Sequence, residues 1–220
     1  MRITFYFMVL ISCFLWGNST LAQSIPVEVM VGDQKSTLDI MFFSYFKNKD
    51  TSNSEFLFFN RNRASVDYKM TDTSYVPQFG FTEALSYTTS SLGGFAPVAV
   101  VQLVNTGIFP KIGIQYVKST PNIVLFGWTV IEATKNPTLD VFVLSRYTPY
   151  LRDGMNLYAQ VELLANIPTG IKNKYNFVQR MRMGVKLREF QFGIAGDFVE
   201  NGRTTYTSST NLGVFLRYEF

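Results

Sequence analysis

Histidine is absent from the 220 residues, and Cys13 is the single cysteine. Without histidine the chain has no Ser-His-Asp triad, no Cys-His dyad, no histidine general base and no His-ligated zinc. One cysteine excludes an intramolecular disulfide. An enzyme is therefore the class this chain fits least. Charged residues make up only 16% and the formal net charge is +4. No basic cluster interleaves with stacking aromatics, so a nucleic-acid partner is not expected. Beyond the N-terminus no stretch reaches the ~18 uncharged apolar residues a spanning helix needs. Gly93-Gly94 lacks a phosphate-loop context, and the Asp67 region lacks an EF-hand-like loop, so neither a cofactor nor a metal is expected.

The N-terminus reads Met1-Arg2, then an apolar run over 3–16, then Gly17-Asn18-Ser19-Thr20-Leu21-Ala22. A positive charge, a short apolar core and small residues form a secretory signal, with cleavage expected after Ala22 and a mature region over 23–220. Leu10-Ile11-Ser12-Cys13 loosely resembles a lipoprotein box. Phe14-Leu15-Trp16 carries the apolar core past the cysteine, which argues against lipid attachment.

The remainder is rich in aromatics, with 21 Phe and 12 Tyr, and shows a period of two rather than a helical period. Turn signals bound strands expected over 27–31, 37–46, 55–68, 79–87, 95–104, 109–117, 122–132, 138–147, 156–165, 175–187, 190–199 and 211–220. Asn201-Gly202 is expected to turn the chain into the last of them. The loop over 69–78 is the longest early connection. A mean hydropathy of +0.09 is too polar for a helical membrane protein, but suits strands with one apolar and one polar face. The expected fold is all-β: an up-and-down antiparallel transmembrane β-barrel of about twelve strands. Ten is the alternative if the first strand merges with a neighbour, because both chain ends lie on one side and the number is then even.

The last strand carries a resemblance. Leu212, Val214, Leu216, Tyr218 and Phe220 alternate with Asn211, Gly213, Arg217 and Glu219, and only Phe215 breaks the pattern. This stretch, ending on an aromatic ring, resembles the closing strand of bacterial outer-membrane β-barrels. The resemblance implies an outer-membrane location, lipid contacts, and recognition by the barrel-insertion machinery through the strand ending in Phe220. Outer-membrane phospholipases, lipid deacylases and omptin-like proteases depend on histidine, so those enzyme families do not fit. Tyr45, Phe46, Phe79, Tyr87, Phe95, Phe109, Tyr147, Tyr175 and Phe190 fall at strand ends, as an interfacial girdle would. A soluble exported β-sandwich is the bland alternative.

Carrying the inside/outside phase back from the C-terminus assigns Arg61, Arg63, Lys111, Arg146, Arg180, Arg182, Lys186 and Arg217 to the lumen. Asp39, Asp67, Glu83, Asp140, Glu162, Asp197 and Glu219 take the same phase. Paired across the lumen, these charges would fix the barrel. Read functionally, Arg61, Arg63, Arg180 and Arg182 form an arginine ladder lining a narrow path for small polar or anionic solutes. Gly184, Gly193, Ala195 and Gly213 are small inward positions expected to leave room for solute. By strand number and aromatic content the chain is similar to nucleoside-type outer-membrane channels, an architectural likeness only. The alternative is a non-conducting barrel accessory to an envelope protein complex.

Overall fold

A computed structural model describes residues 25–68, 78–170 and 174–220. The expected signal segment, its cleavage after Ala22 and nearly all of the loop over 69–78 lie outside the described residues.

Alternating sequences become strands here because a pleat sends successive side chains to opposite faces. Twelve long strands form the wall: β1 (Pro26–Gly32), β2 (Lys35–Lys47), β3 (Asn53–Asp67), β4 (Gln78–Tyr87), β5 (Phe95–Val104), β6 (Gly107–Ser119), β7 (Ile123–Glu132), β8 (Thr138–Tyr147), β10 (Met155–Pro168), β11 (Tyr175–Leu187), β12 (Phe190–Gly202) and β13 (Tyr206–Glu219). A three-residue strand, β9 (Tyr150–Arg152), pairs with the start of β10 inside the connection from β8. Each long strand is antiparallel to its sequence neighbour. β13 also pairs with β1, from Pro26 opposite Glu219 to Gly32 opposite Gly213, and this closes the sheet on itself. Ile25 and Phe220 tie the two chain ends together through reciprocal backbone hydrogen bonds of 3.3 and 3.2 Å.

The outer wall is apolar. Ile194, Val214, Met183, Ile112, Leu216 and Leu212 are all more than half exposed. Soluble monomers rarely expose an apolar surface of this extent, whereas a transmembrane barrel requires one. Of the nine expected girdle aromatics, Phe46, Phe79, Tyr87, Phe95, Tyr147 and Phe190 are exposed. Tyr175 is half-buried and stacks on Phe177 at 6.1 Å. Tyr45 and Phe109 are half-buried and follow the inward phase of their strands.

The last hairpin departs from the expected boundaries. β12 runs through Asn201 and Gly202, which pair with Thr207 and Tyr206, so the reversal occurs at 203–205. β13 begins five residues before Asn211. The added residues, Tyr206 to Thr210, are exposed at every position. Both faces of that segment meet water, so no alternation marked it as strand.

Candidate functional site

The interior divides into an apolar wall and a charged one. On the apolar side Phe59, Phe126, Phe142, Leu144, Met41, Val98 and Val100 are all buried. Phe59 stacks on Phe126 at 5.0 Å, and Trp128 meets both edge-on at 5.0 and 5.4 Å. These rings come from β7, β8 and the first half of β3, where apolar residues run nearly without interruption, as strands with apolar neighbours on both faces must.

Strands β1, β2, β3, β10, β11, β12 and β13, with Arg146 at the end of β8, supply the charged side. Arg61 grips Asp39 with two nitrogens, Nε at 3.1 Å and Nη2 at 2.5 Å, and reaches across to Glu162 at 2.8 Å. Arg63 bridges Asp39 at 3.0 Å and Asp197 at 2.6 Å. Arg182 donates to Glu28 and to Asp197, each at 2.8 Å. Arg217 pairs with Glu28 at 2.9 Å and donates to the Tyr158 hydroxyl and to Gln160. Arg146 joins through Gln160 at 2.9 Å, and Gln160 in turn donates to Glu162 at 2.8 Å. Arg180 is the most loosely held, 3.3 Å from Glu162 and 4.0 Å from Asp197. Five arginines thus share Glu28, Asp39, Glu162 and Asp197 and Arg146 joins through Gln160, an excess of two positive charges in one connected network. Such burial is tolerable because almost every charge has a partner; removing one partner would strand the other.

Among the sequence-predicted residues, Arg61, Arg63, Arg146, Glu162, Arg180, Arg182, Asp197 and Arg217 come together in this network. Glu219 does not join it. It pairs with Lys186 at 2.5 Å near the end that holds the chain termini. Lys111 forms its own cluster with Asp140 and with Glu132 at 3.8 Å. Asp67 is exposed at the rim of the opposite end. Glu83 is corrected outright. It shares a face with the exposed Phe79, Phe81, Leu85 and Tyr87, and so points to the outside, while Thr82, Ala84 and Ser86 are buried inward. The period-two pleat leaves it no other direction.

The small inward residues are corrected too. Tyr158, Gly184, Gly193, Phe215 and Met30 lie on one hydrogen-bonded row across five strands. A Cβ on Gly184 would meet the Phe192 carbonyl oxygen at 2.0 Å, and one on Gly193 would meet that of Met183 at 2.1 Å. The glycines therefore let the sheet fold sharply, and the rings of Tyr158 and Phe215 come within 5.6 Å of each other. Tyr158 is fully buried and Phe215 is 2% exposed. The room left by the glycines is filled by these rings. Glu28, Tyr158, Gln160 and Phe215 were not singled out from sequence as lumen residues. Only Phe215, which breaks the alternation of the last strand, left a signal there.

Open space remains above the ladder. A cavity of about 510 Å³ lies at the end away from the termini, with Lys35, Arg61, Arg63 and Arg180 against Asp67 and Asp197, and with Phe59, Trp128, Phe142 and Leu164 also lining it. Its charged lining is net positive by two.

No protein-family profile matches the chain, and no curated protein sequence matches it significantly. Solved structures align over 90% of it. A KdgM porin in complex with disordered oligogalacturonate is 12% identical, with 99% of that chain covered and a TM-score of 0.49. A NanC porin is 8% identical, with 99% covered and a TM-score of 0.48. OmpT of Vibrio cholerae, outer-membrane expressed, is 9% identical, with 95% covered and a TM-score of 0.39. These are likenesses of barrel architecture alone.

Proposed function

We propose that this protein is an outer-membrane barrel whose lumen is a narrow path for small anionic solutes, closed at rest by the salt-bridged ladder. The apolar circumference calls for a lipid environment, and the paired chain ends would face the periplasm. The vestibule would then open to the exterior. The observation that carries the reading is the cationic vestibule set directly on arginines that outnumber their carboxylates. An incoming carboxylate competes for Arg180 and Arg63, whose donors are shared or loosely held. Exchange of partners along the ladder, rather than an open bore, is the mode of passage; rings of charge set the selectivity.

Uptake by proteoliposomes tests this. Small monocarboxylates should enter faster than neutral or cationic solutes of equal size, and the preference should fall in Arg180→Gln. Equal uptake of all three classes, or none, would contradict the reading. The second reading is a non-conducting accessory barrel in an envelope complex. The packed Phe59–Phe126–Trp128 cluster favours it, since these rings fill the interior as a core would. Native mass measurement after mild extraction tests that alternative, which requires a different protein bound to the barrel.

A further inference from the structure

The cavity at the end away from the termini has two unlike sides. Trp128, Phe142, Leu164, Val178 and Val199 lie on one hydrogen-bonded row across β7, β8, β10, β11 and β12. Each sits two positions nearer that end than Phe126, Leu144, Glu162, Arg180 and Asp197 and shares their inward phase. The row is therefore an apolar belt set just above the ladder. Trp128, Leu164 and Val199 are half-buried and line the cavity. Phe59 and Phe142 brace the Trp128 ring at 5.0 and 5.3 Å, so this face is fixed before any ligand arrives. Apolar surface held against water is covered favourably by an apolar body.

Cations stand on the other side. Lys35 and Arg63 come from β2 and β3, and β3 faces β10 across the twelve-strand ring. Arg61 spans the gap below them, reaching Glu162 of β10 at 2.8 Å. The Arg63 and Arg180 side chains are each 16% exposed, against 3% for Arg182 and 4% for Arg217, so these two guanidiniums are within a solute's reach. The Lys35 amine forms no hydrogen bond or salt bridge with a described residue. The volume of about 510 Å³ falls within the range of about 300–1,000 Å³ typical of small-molecule sites. A compact hydrated anion would meet the cations and leave the belt wet. A neutral apolar molecule would cover the belt and leave the cations unmatched. An anion charged at both ends would set its second charge against the rings, where nothing pairs with it. One carboxylate on a flat apolar body satisfies both sides, and an aromatic ring packs well against Trp128.

We propose that the vestibule is a binding site for aromatic monocarboxylates, with the carboxylate held by Lys35, Arg63 and Arg180 and the ring laid on Trp128, Leu164 and Val199. The proposal rests on the anion reading above and adds the body that the anion carries. Calorimetric titration of the purified full chain in detergent micelles tests it, with micelles alone as the blank. The probes are phenylacetate, acetate and phenylacetamide, the neutral isostere of the first. Phenylacetate should bind roughly tenfold or more tightly than either of the others, the scale on which apolar pockets discriminate. Leu164→Asn should cut the phenylacetate-to-acetate ratio roughly tenfold. Lys35→Gln should narrow the gap between phenylacetate and phenylacetamide. Both side chains line open space, so the barrel should fold without them, and the heat-shifted gel band of a folded barrel verifies it. Equal binding of phenylacetate and acetate, or a ratio indifferent to Leu164→Asn, would overturn the aromatic specificity and leave the anion reading standing. A gap indifferent to Lys35→Gln would overturn the assigned carboxylate position. Equal binding of phenylacetate and phenylacetamide would overturn the site and the anion reading together. Binding of none of the three would overturn the site alone, since passage is read separately by uptake.

Discussion

Arg182 shows what one residue contributes to the charged interior. Its side chain is 3% exposed and holds Glu28 of β1 and Asp197 of β12 together. Arg182→Ala would remove a 2.8 Å bond from each carboxylate while leaving Glu28 with Arg217 and Asp197 with Arg63, so we expect a loss of about 1–3 kcal/mol, measurable by urea unfolding in detergent micelles. Arg180→Ala should cost clearly less, because its contacts are longer and its carboxylates keep Arg61, Arg63 and Arg182. That these residues face inward was legible from alternation. Their partners were not: Arg63 meets Asp197 at a sequence separation of 134, and Arg182 meets Glu28 at 154. Register and closure decide such pairs, and neither is local. Glu83 was misread for a different reason. The inside/outside phase carried back from the C-terminus slips in the aromatic-rich early strands, whereas the exposed neighbours Phe79, Phe81, Leu85 and Tyr87 on its own strand put Glu83 outward.

The elements carry their own tests. On the row linking β10 to β13, Gly184 and Gly193 permit a backbone approach that any side chain would block. Gly184→Ala should destabilise the barrel by about 1–3 kcal/mol through overpacking. Gly196→Ala should cost less than Gly184→Ala, since the nearest atoms its Cβ would meet belong to the side chains of Phe198 and Leu212, at 3.1 and 3.2 Å, and not to backbone. The same urea titration distinguishes them. At the β1–β2 turn Asp33 accepts the Leu212 backbone N–H at 2.8 Å, and this hydrogen bond holds its carboxyl below the ordinary value of 3.8. A depressed carboxylate stabilises the fold above the ordinary value and loses that contribution as pH falls below it. We expect the Leu212 amide resonance to titrate in that acid range, and Asp33→Asn to abolish the titration. Strand positions were readable wherever one face met lipid. The start of β13 was not, because the segment from Tyr206 to Thr210 has water on both faces.

At the scale of the whole molecule, the expected strand number and up-and-down order match the twelve long strands and their closure between β13 and β1. The contents of the lumen were far less legible. Residues that fill a barrel obey volume, not periodicity, so Tyr158, Phe126 and Phe215 gave little notice of their role. The result is a wall of alternating strands around an interior lined by rings and ion pairs, with a cationic cup on one end. Single-channel recording in planar bilayers tests this account most directly. Wild-type protein should be closed for most of the record and show brief, small, anion-selective openings. Glu162→Gln, which weakens the hold on Arg61 and Arg180, should open more often and more anion-selectively. A large steady conductance in the wild type, cation selectivity, or silence in both proteins would contradict it.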